Sequence, residues 1–252
     1  MAIRDITSER LYVVAPLLAG APVLLSEEQA HYLVNVLRLA AGARVLVFNG
    51  RDGEWQAELS EIKKRRATLI VDGQTRPQSD GPDIDYLFAP LKRSRLDYMV
   101  QKAVEMGVAR LRPVITHRTI AERVNLERMR ANAIEAAEQC GILRVPEVFE
   151  PVALQKALAA WDAGRTLIFC DEDAAIKNPL EALGAIPQGP VALLVGPEGG
   201  FDPGERAALM GKPFVHAISL GPRIMRADTA AVAALALVNA KCGDWGHEPH
   251  VL

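Results

Sequence analysis

Short runs of alternating hydrophobic and polar residues dominate the first 72 positions of the chain. The runs ERLYVVAPL, ARVLVFNG, EWQAELSEI and RATLIVDG are separated by turn residues such as NGRDG, and they predict strands. One segment, SEEQAHYLVNVLRLAAG, has helical spacing instead, with Ser26 as its N-cap. Its predicted apolar stripe consists of Tyr32, Leu33, Val36 and Leu37. The pattern predicts a small barrel-like domain of strands with one helix, a module that either binds RNA or serves as an adaptor.

Beyond residue 83 the pattern changes, because strand-like and helix-like segments alternate. The strand-like segments are IDYLFAPL, RLRPVIT, TLIFCDED, VALLVGPEGG and FVHAISLG, and the helical ones are RLDYMVQKAVEMGV, NLERMRANAIEAAEQCG, PGERAALMG and TAAVAALALVNAK. This alternation predicts an α/β fold with a mostly parallel sheet. The polar, Gly- and Pro-rich stretch from Gly73 to Asp83 is the expected domain boundary. We therefore expect domains at 1–72 and 73–252.

Two of the predicted strands run directly into Gly-Pro loops, in LLVGPEGGF and in ISLGPRIM. Ligands of parallel α/β sheets bind outside the carboxyl ends of the strands, so these loops are candidate binding segments. The first loop lacks the Lys of a Walker motif and does not match GxGxxG. Two interpretations remain for this loop, a simple turn or a ligand surface built from backbone amides and carbonyls.

Composition narrows the class of protein. Half of the 252 residues are apolar and the formal net charge is −2. No apolar run approaches the roughly 20 residues of a spanning helix, and MAIRDITSERLYVV has no signal-peptide core. The three cysteines are widely spaced and contain no CxxC pair, which favours reduced thiols. We expect a cytoplasmic protein without a membrane segment and without a metal, since His247 and His250 in the tail are too few for a metal site.

Positive charge is concentrated in one part of the chain. Residues 91–130 contain ten Lys or Arg and four Asp or Glu, whereas residues 131–252 contain nine and fifteen. A second basic run, KKRR, occupies positions 63–66. Local positive charge on an otherwise acidic chain suits binding to a phosphate backbone, although a charge run is also typical of a solvated surface.

The two Gly-Pro loops together, LLVGPEGGFDPGE and SLGPRIMRADTAAVAAL, resemble the paired cofactor loops of the SPOUT methyltransferases. Further segments are similar to the ribosomal RNA small subunit methyltransferase E family, the uridine N3 methyltransferases of 16S ribosomal RNA. These segments are HYLVNVLRLAAG, KRSRLDYMVQKAVEMGVARLRPVITHRT, EAAEQCG and VPEV. The resemblance as a whole extends over nearly the whole chain. The resemblance implies a PUA-like RNA-binding β-barrel domain, then a trefoil-knotted SPOUT domain. It also implies a homodimer and S-adenosylmethionine as cofactor.

The resemblance assigns the cofactor to both loops. In the first loop it implies Gly196, Glu198, Gly199 and Gly200, and in the second Ser219, Leu220, Gly221, Ile224 and Met225. The residue types suit an adenine ring, because glycines expose amides for its edge and the apolar side chains supply its faces.

Three residues after the second loop are candidates for catalysis. Arg226 could stabilise negative charge on the uracil oxygens, or it could bind a phosphate or a carboxylate of a partner subunit. Asp228 and Thr229 could handle the substrate, or either could be the N-cap of the closing helix. The chain departs from the family pattern at Asp228, where Glu is usual, and at Ile142, where Arg is common.

The expected RNA contacts lie in the segments that match the family. They are Arg10, Arg38, Lys92, Arg93, Arg95, Lys102 and Arg118. Lys102 could equally lie on a solvated helix face without contacting RNA. His117 could stack on a base or be structural, and His216 is expected in the core. Two rivals stay open, a methyltransferase of another RNA and an RNA-binding assembly factor without activity.

Overall fold

The computed structural model describes residues 9–120 and 123–246, which form two compact units. Among the described residues, the first unit contains 9–80 and 137–144, and the second contains 81–120, 123–136 and 145–246. His247 and His250 of the tail lie outside the described residues.

The first unit is built on a five-stranded sheet with the order β1-β3-β4-β5-β2. Its strands are β1 (Arg10–Tyr12), β2 (Pro22–Leu24), β3 (Arg44–Phe48), β4 (Glu54–Lys63) and β5 (Arg66–Arg76). Strand β1 is parallel to β3, and the other pairs are antiparallel. Alternate residues such as Leu59, Leu69 and Val71 enter one apolar core, as the period-2 pattern predicts. Strand β5 extends through Arg76, four residues into the stretch that was expected to be a linker.

The helix of the first unit is shorter than its sequence pattern predicts. A capping box between Ser26 and Gln29 begins α1 (Glu27–His31), which confirms the N-cap. A π-helical turn, Tyr32–Val36, follows at once, with the N–H of Leu37 donating to the carbonyl of Tyr32 at 2.9 Å. The wider turn rotates side chains out of the α-helical register. Leu33 is buried but Tyr32 and Val36 are 39% and 58% exposed, so the predicted stripe is wrong at these two positions.

The second unit has a seven-stranded sheet in which every pair is parallel. Its order is β12-β10-β11-β6-β7-β8, with the short β9 paired to β7. The strands are β6 (Ile84–Phe88), β7 (Arg110–Ile115), β8 (Glu147–Val148), β9 (Val152–Ala153), β10 (Thr166–Cys170), β11 (Val191–Val195) and β12 (Val215–Ile218). Every residue of β6 and β11 is buried, as expected for central parallel strands. The predicted α/β fold is therefore confirmed.

Six helices are described in this part of the chain. They are α2 (Arg93–Glu105), α3 (Leu126–Cys140), α4 (Leu154–Ala159), α5 (Pro179–Gly184), α6 (Pro203–Met210) and α7 (Ala227–Cys242). Gly107 and Gly141 follow α2 and α3 with positive φ, at the ends that the sequence predicts. Helix α7 packs against α2 and β11. Among the described helices, none has both the length and the apolar character needed to cross a membrane.

Candidate functional site

The carboxyl edge of the parallel sheet brings the two Gly-Pro loops close together. Strand β11 ends at Val195 and continues into the first Gly-Pro loop, residues 196–200, and β12 ends at Ile218 before the second Gly-Pro loop, residues 219–225. Only β10 separates these two strands in the sheet. In the register of the strands, Phe169 pairs with Leu194 and Cys170 with Ile218, so the three strand ends are level. Parallel topology thus places both loops at one edge.

The first Gly-Pro loop requires glycine at its first position. A Cβ on Gly196 would lie 2.9 Å from Cδ2 of Phe201, closer than carbon atoms approach without displacement. The Phe201 ring packs edge-on against Phe169, with ring centroids 5.0 Å apart, and so has little room to move. Gly200 has a φ of 70°, a conformation that favours glycine, and its N–H donates to the carbonyl of Pro197 at 2.9 Å. The loop is therefore a compact turn held against the aromatic core.

Arg95 and Arg118 bind the first Gly-Pro loop from outside. Arg95, in the first turn of α2, forms an ion pair with Glu198 and donates to both carboxylate oxygens of Asp228, at 3.0 and 3.2 Å. Arg118 donates to the carbonyl of Gly199 at 2.6 Å. The Arg95 hydrogen bonds lower the pKa of Asp228. We call the trio Arg95, Glu198 and Asp228 the arginine latch, because it joins α2, the loop and the start of α7.

The turn that carries Arg118 is itself fastened to α6. The backbone N–H of His117 donates to Oε1 of the buried Glu205 at 2.8 Å. Glu205 also forms a capping box with Asp202. The hydrogen bond that the Glu205 N–H donates to the Asp202 carboxylate lowers the pKa of Asp202. The His117 ring is exposed and lies 2.8 Å from Asp202. The choice between base stacking and a structural role for His117 stays open.

The second Gly-Pro loop exposes apolar side chains. Ser219 is buried at its base, and Gly221 turns the chain with a φ of 98°. Ile224 is 94% exposed, an unusual position for a large aliphatic side chain. Leu220 and Met225 are partly buried. The loop therefore offers apolar surface next to exposed backbone.

Beneath the loops, the end of β10 contributes a neutral thiol and a paired carboxylate. Burial raises the pKa of Cys170 to about 12, so this thiol keeps its proton at neutral pH. The carboxylate of Asp171 pairs with Arg206 at 2.9 Å. His216, expected in the core, is only partly buried in β12. Across residues 9–120 and 123–246, no cluster of three or more His, Cys, Asp or Glu is arranged to hold a metal ion.

The candidate catalytic residues lie at the start of α7. Arg226 is the N-cap residue, it is exposed, and its side chain forms no capping hydrogen bond. The alternative that Asp228 or Thr229 is the N-cap is wrong, because the helix already begins at Ala227 and both residues lie in its first turn. Asp228 instead accepts the N–H of Thr229 at 2.8 Å and binds Arg95.

Arg10, one of the expected RNA contacts, is engaged inside the first unit. Its guanidinium pairs with Glu54 at 2.6 Å and donates to the carbonyls of Ala137 and Glu138 at 2.6 and 2.8 Å. Burial alone would raise the pKa of Glu54, but hydrogen bonds from Arg76 and Arg10 lower it. With a side chain 9% exposed, Arg10 has the geometry of a structural residue that binds the C-terminal end of α3.

The other expected RNA contacts differ in their environment. Arg38 follows the π-helical turn, is exposed and has a φ of 57°. Lys92 and Arg93 are exposed where α2 begins. Lys102 binds Glu105 at 2.7 Å on the surface of α2, the geometry of its solvated-face alternative. These RNA contacts stay predictions.

Sequence analysis missed the residues that support the first Gly-Pro loop. Phe201 and Glu205 fix the loop and the turn beside it, yet neither was a candidate. The motif DPGE contained a signal for Glu205, because Asp followed by Glu three residues later is typical of a capping box. The contact between Arg118 and Gly199 spans 81 positions, and no local pattern indicates it.

Comparison with known proteins agrees with this architecture. Residues 79–239 match the model of the RNA methyltransferase domain, and residues 25–72 match the RNA methyltransferase PUA domain. The first match covers more than half of the chain.

Three similar proteins share one name. The ribosomal RNA small subunit methyltransferase E of Rickettsia conorii is 29% identical over 231 residues, covering 91% of this chain and 94% of its own. The enzyme of the same name from Synechocystis sp. is 31% identical over 239 residues, covering 92% and 77%. A crystal structure of the Neisseria gonorrhoeae enzyme, bound to S-adenosyl methionine, superposes with a TM-score of 0.85 at 30% identity, covering 94% of this chain and 99% of that one. The chain belongs to the ribosomal RNA small subunit methyltransferase E family.

Proposed function

We propose that this protein transfers a methyl group from S-adenosylmethionine to N3 of a uridine in 16S ribosomal RNA of the small subunit. The observation that carries the proposal is the pair of Gly-Pro loops, which lie level at the carboxyl edge of the parallel sheet. The arginine latch joins the first of these loops to α2 and α7. The similar Neisseria gonorrhoeae enzyme, which was crystallised with S-adenosyl methionine, supports it.

The residues of the two loops fit this cofactor. At Gly200 and Gly221 the space where a side chain would stand is open, so a ligand can approach the backbone closely. The exposed Ile224 offers an apolar face of the kind that adenine requires. The residues that would hold the cofactor are Gly196, Glu198, Gly199, Gly200, Ser219, Leu220, Gly221, Ile224 and Met225. S-adenosylmethionine supplies a methyl group that its sulfonium already activates.

The chain's own task is to align the uracil and to stabilise its charge. N3 attacks once its proton has left, and the uracil oxygens then carry the negative charge. We assign Arg226 to these oxygens, because its side chain is exposed and extends from the N-cap of α7. Thr229, exposed in the first turn of that helix, offers a hydroxyl donor. Asp228 is a positioning residue, because Arg95 lowers its pKa and so makes it a weak base.

A homodimer formed through α7 is part of the proposal. The stretch TAAVAALALV within α7 has no charged side chain, although Val232, Ala233, Ala236 and Leu237 are only partly buried. A helix that is apolar on all sides is usually buried on all sides. A second copy of the chain would cover this face. The family further suggests a trefoil knot around the loops and a cytoplasmic location.

Analysis of the methylated product tests this function. Small ribosomal subunits that lack the modification are incubated with labelled S-adenosylmethionine and the protein, and the RNA is digested to nucleosides for mass spectrometry. We expect 3-methyluridine. Another methylated nucleoside would refute the N3 assignment, methylation of transfer RNA alone would refute the substrate, and cofactor binding without transfer to any RNA would indicate an inactive assembly factor.

A further inference from the structure

A basic recess lies between the N-terminal parts of α2 and α3, within the second unit. Its volume is about 330 Å³, which is within the range of small-ligand sites, roughly 300–1,000 Å³. The lining residues are Leu91, Lys92, Arg93, Leu96, Asp97, Arg123, Asn125, Arg128 and Met129. We call this cavity the α2–α3 recess.

The walls of the recess are held rigidly. Arg128 binds the carboxylate of Asp97 through two nitrogens, at 2.7 to 3.0 Å, and Asn132 donates to the same carboxylate at 2.7 Å. These bonds, that of Arg128 foremost, lower the pKa of Asp97. Asn125 accepts the N–H of Arg128 at 3.0 Å and so caps α3. The recess is therefore a preformed cavity whose walls are fixed by hydrogen bonds.

The floor and the rim of the recess have different chemistry. Leu91, Leu96 and Met129 form an apolar floor and are each less than 10% exposed. Lys92, Arg93 and Arg123 are exposed along the rim, and the only acid in the lining, Asp97, is already paired with Arg128. An apolar floor beneath a positively charged rim matches a nucleotide, whose flat base is apolar on its faces and whose phosphate is anionic.

We propose that the α2–α3 recess binds one unstacked nucleotide of the RNA substrate, with its base on the apolar floor and its phosphate at the rim. This inference rests on the proposed function and adds a second RNA subsite to it. The nucleotide differs from the one that is methylated, because the recess and the Gly-Pro loops use opposite sides of α2. Asp97 faces α3, whereas Arg95 faces the first loop and α7.

Removing the rim charges tests the phosphate contacts. The double variant Lys92→Ala/Arg123→Ala is compared with Lys156→Ala/Lys177→Ala, which removes two exposed charges elsewhere on the same unit. We expect the rim variant to raise KM for unmodified small subunits about tenfold and to lower the salt slope of binding by about 1.4, or roughly 0.7 for each lost phosphate contact. Its calorimetric affinity for S-adenosylmethionine stays at the wild-type value. Equal KM values for the two double variants would overturn the proposal.

Filling the recess separates an inserted nucleotide from a merely basic surface. Leu96→Trp enlarges a floor residue and leaves every rim charge in place. We expect KM to rise several-fold for Leu96→Trp while the salt slope stays unchanged. An unchanged KM in a variant with native thermal stability would show that only surface charge matters, and the subsite would be refuted.

Ultraviolet cross-linking of the wild-type protein to unmodified small subunits locates the bound RNA without any substitution and without methyl transfer. We expect nucleotide adducts on peptides that contain residues 91–97 or 123–129, and the mass of the adduct identifies the base. Adducts confined to other peptides would overturn the proposal. If the protein binds subunits without methylating them, the proposed function fails, yet the adduct positions still decide the question of the recess.

Discussion

Arginine–carboxylate ion pairs occur at both edges of the parallel sheet, but they have different roles at each edge. At the amino edge, Asp85 is 2% exposed and is surrounded by Arg110, Arg112 and Arg165. Arg112 approaches its carboxylate to 2.7 Å, and Arg165 also pairs with Asp83 at 2.9 Å. These arginines join β6, β7 and the start of β10. Their partners lie in β6 or directly before it, so this network fixes strand positions.

At the carboxyl edge, the arginines bind loops instead of strands. Arg95 and Arg118 contact Glu198 and Gly199 of the first Gly-Pro loop, and Glu198 is about half exposed. Removing one residue of a buried ion pair strongly destabilises the folded protein, whereas an exposed pair contributes little to stability. The amino edge therefore maintains the fold, and the carboxyl edge positions a binding site. Substitutions at the two edges should therefore separate stability from activity.

The largest effect on stability is expected at the amino edge. Asp85→Ala removes the buried carboxylate that three partly buried arginines share, and we expect a loss of about 3–5 kcal/mol in the free energy of unfolding, measured with urea. Asp83→Ala is the matched control, since this carboxylate is about half exposed and its loss should be about 1 kcal/mol or less. Equal losses in the two variants would contradict the assigned role of Asp85.

Gly196→Ala should have the next largest effect. Its added Cβ meets the packed Phe201 ring, and such overpacking costs about 1–3 kcal/mol. Distortion of the loop should also abolish binding of S-adenosylmethionine in calorimetry. Gly199→Ala is the control, because a Cβ there has ordinary contacts of 3.5 and 3.7 Å with Arg118, and its stability should stay within about 0.5 kcal/mol of wild type. A stable Gly196→Ala variant that binds cofactor normally would refute this account of the loop.

The arginine latch should affect catalysis more than stability. Arg95→Gln releases Glu198 and Asp228 together, and we expect kcat/KM to fall at least tenfold while stability changes by about 1 kcal/mol or less. In Asp228→Asn, kcat/KM should fall by a similar factor. The double variant should lose no more kcat/KM than either single variant, because the effects of substitutions within one network are not additive. Additive losses in kcat/KM would show that the two residues act separately.

Titration of Asp228 checks the latch electrostatically. Arg95 lowers the pKa of this carboxyl, so the carboxylate stabilises the fold above its unfolded pKa, and that contribution is lost as pH falls through the folded value. By carbon-detected NMR we expect a midpoint below the ordinary value of about 3.9, and a higher midpoint in Arg95→Gln. The same midpoint in both proteins would mean that Arg95 does not hold Asp228.

The smallest effect concerns Cys170, at the end of β10 beneath the loops. Since burial raises its pKa to about 12, we expect iodoacetamide at pH 8 to leave Cys170 unmodified in the folded protein and to label the exposed Cys140. Mass spectrometry of the peptides measures both. Rapid labelling of Cys170 would show that this edge opens in solution.

Local patterns in the sequence predicted much of the second unit, because each strand and each long helix has its own period and its own end signal. Gly107 and Gly141 end helices as expected, and both Gly-Pro loops follow buried strands. The short elements β8, β9, α4 and α5 were missed because they contain too few residues to show a period.

What the sequence could not supply is the pairing of distant side chains. Arg95 and Asp228 are 133 positions apart, and only the folded chain shows that Asp228 binds an arginine and does not cap α7. The π-helical turn was equally unpredictable, since its residues fit an α-helical period until the backbone widens at Tyr32–Val36. Candidate residues were therefore easier to find than their partners.

Hydrogen exchange of the wild-type protein, with and without S-adenosylmethionine, tests the central claim most directly, because it locates the cofactor on the chain. We expect slower exchange on cofactor binding in peptides that contain residues 195–201 and 218–228, at the carboxyl edge. We expect no change in peptides around Asp85, Arg110 and Arg165, at the amino edge. Protection at the amino edge, or its absence from both Gly-Pro loops, would contradict the division of roles between the two edges.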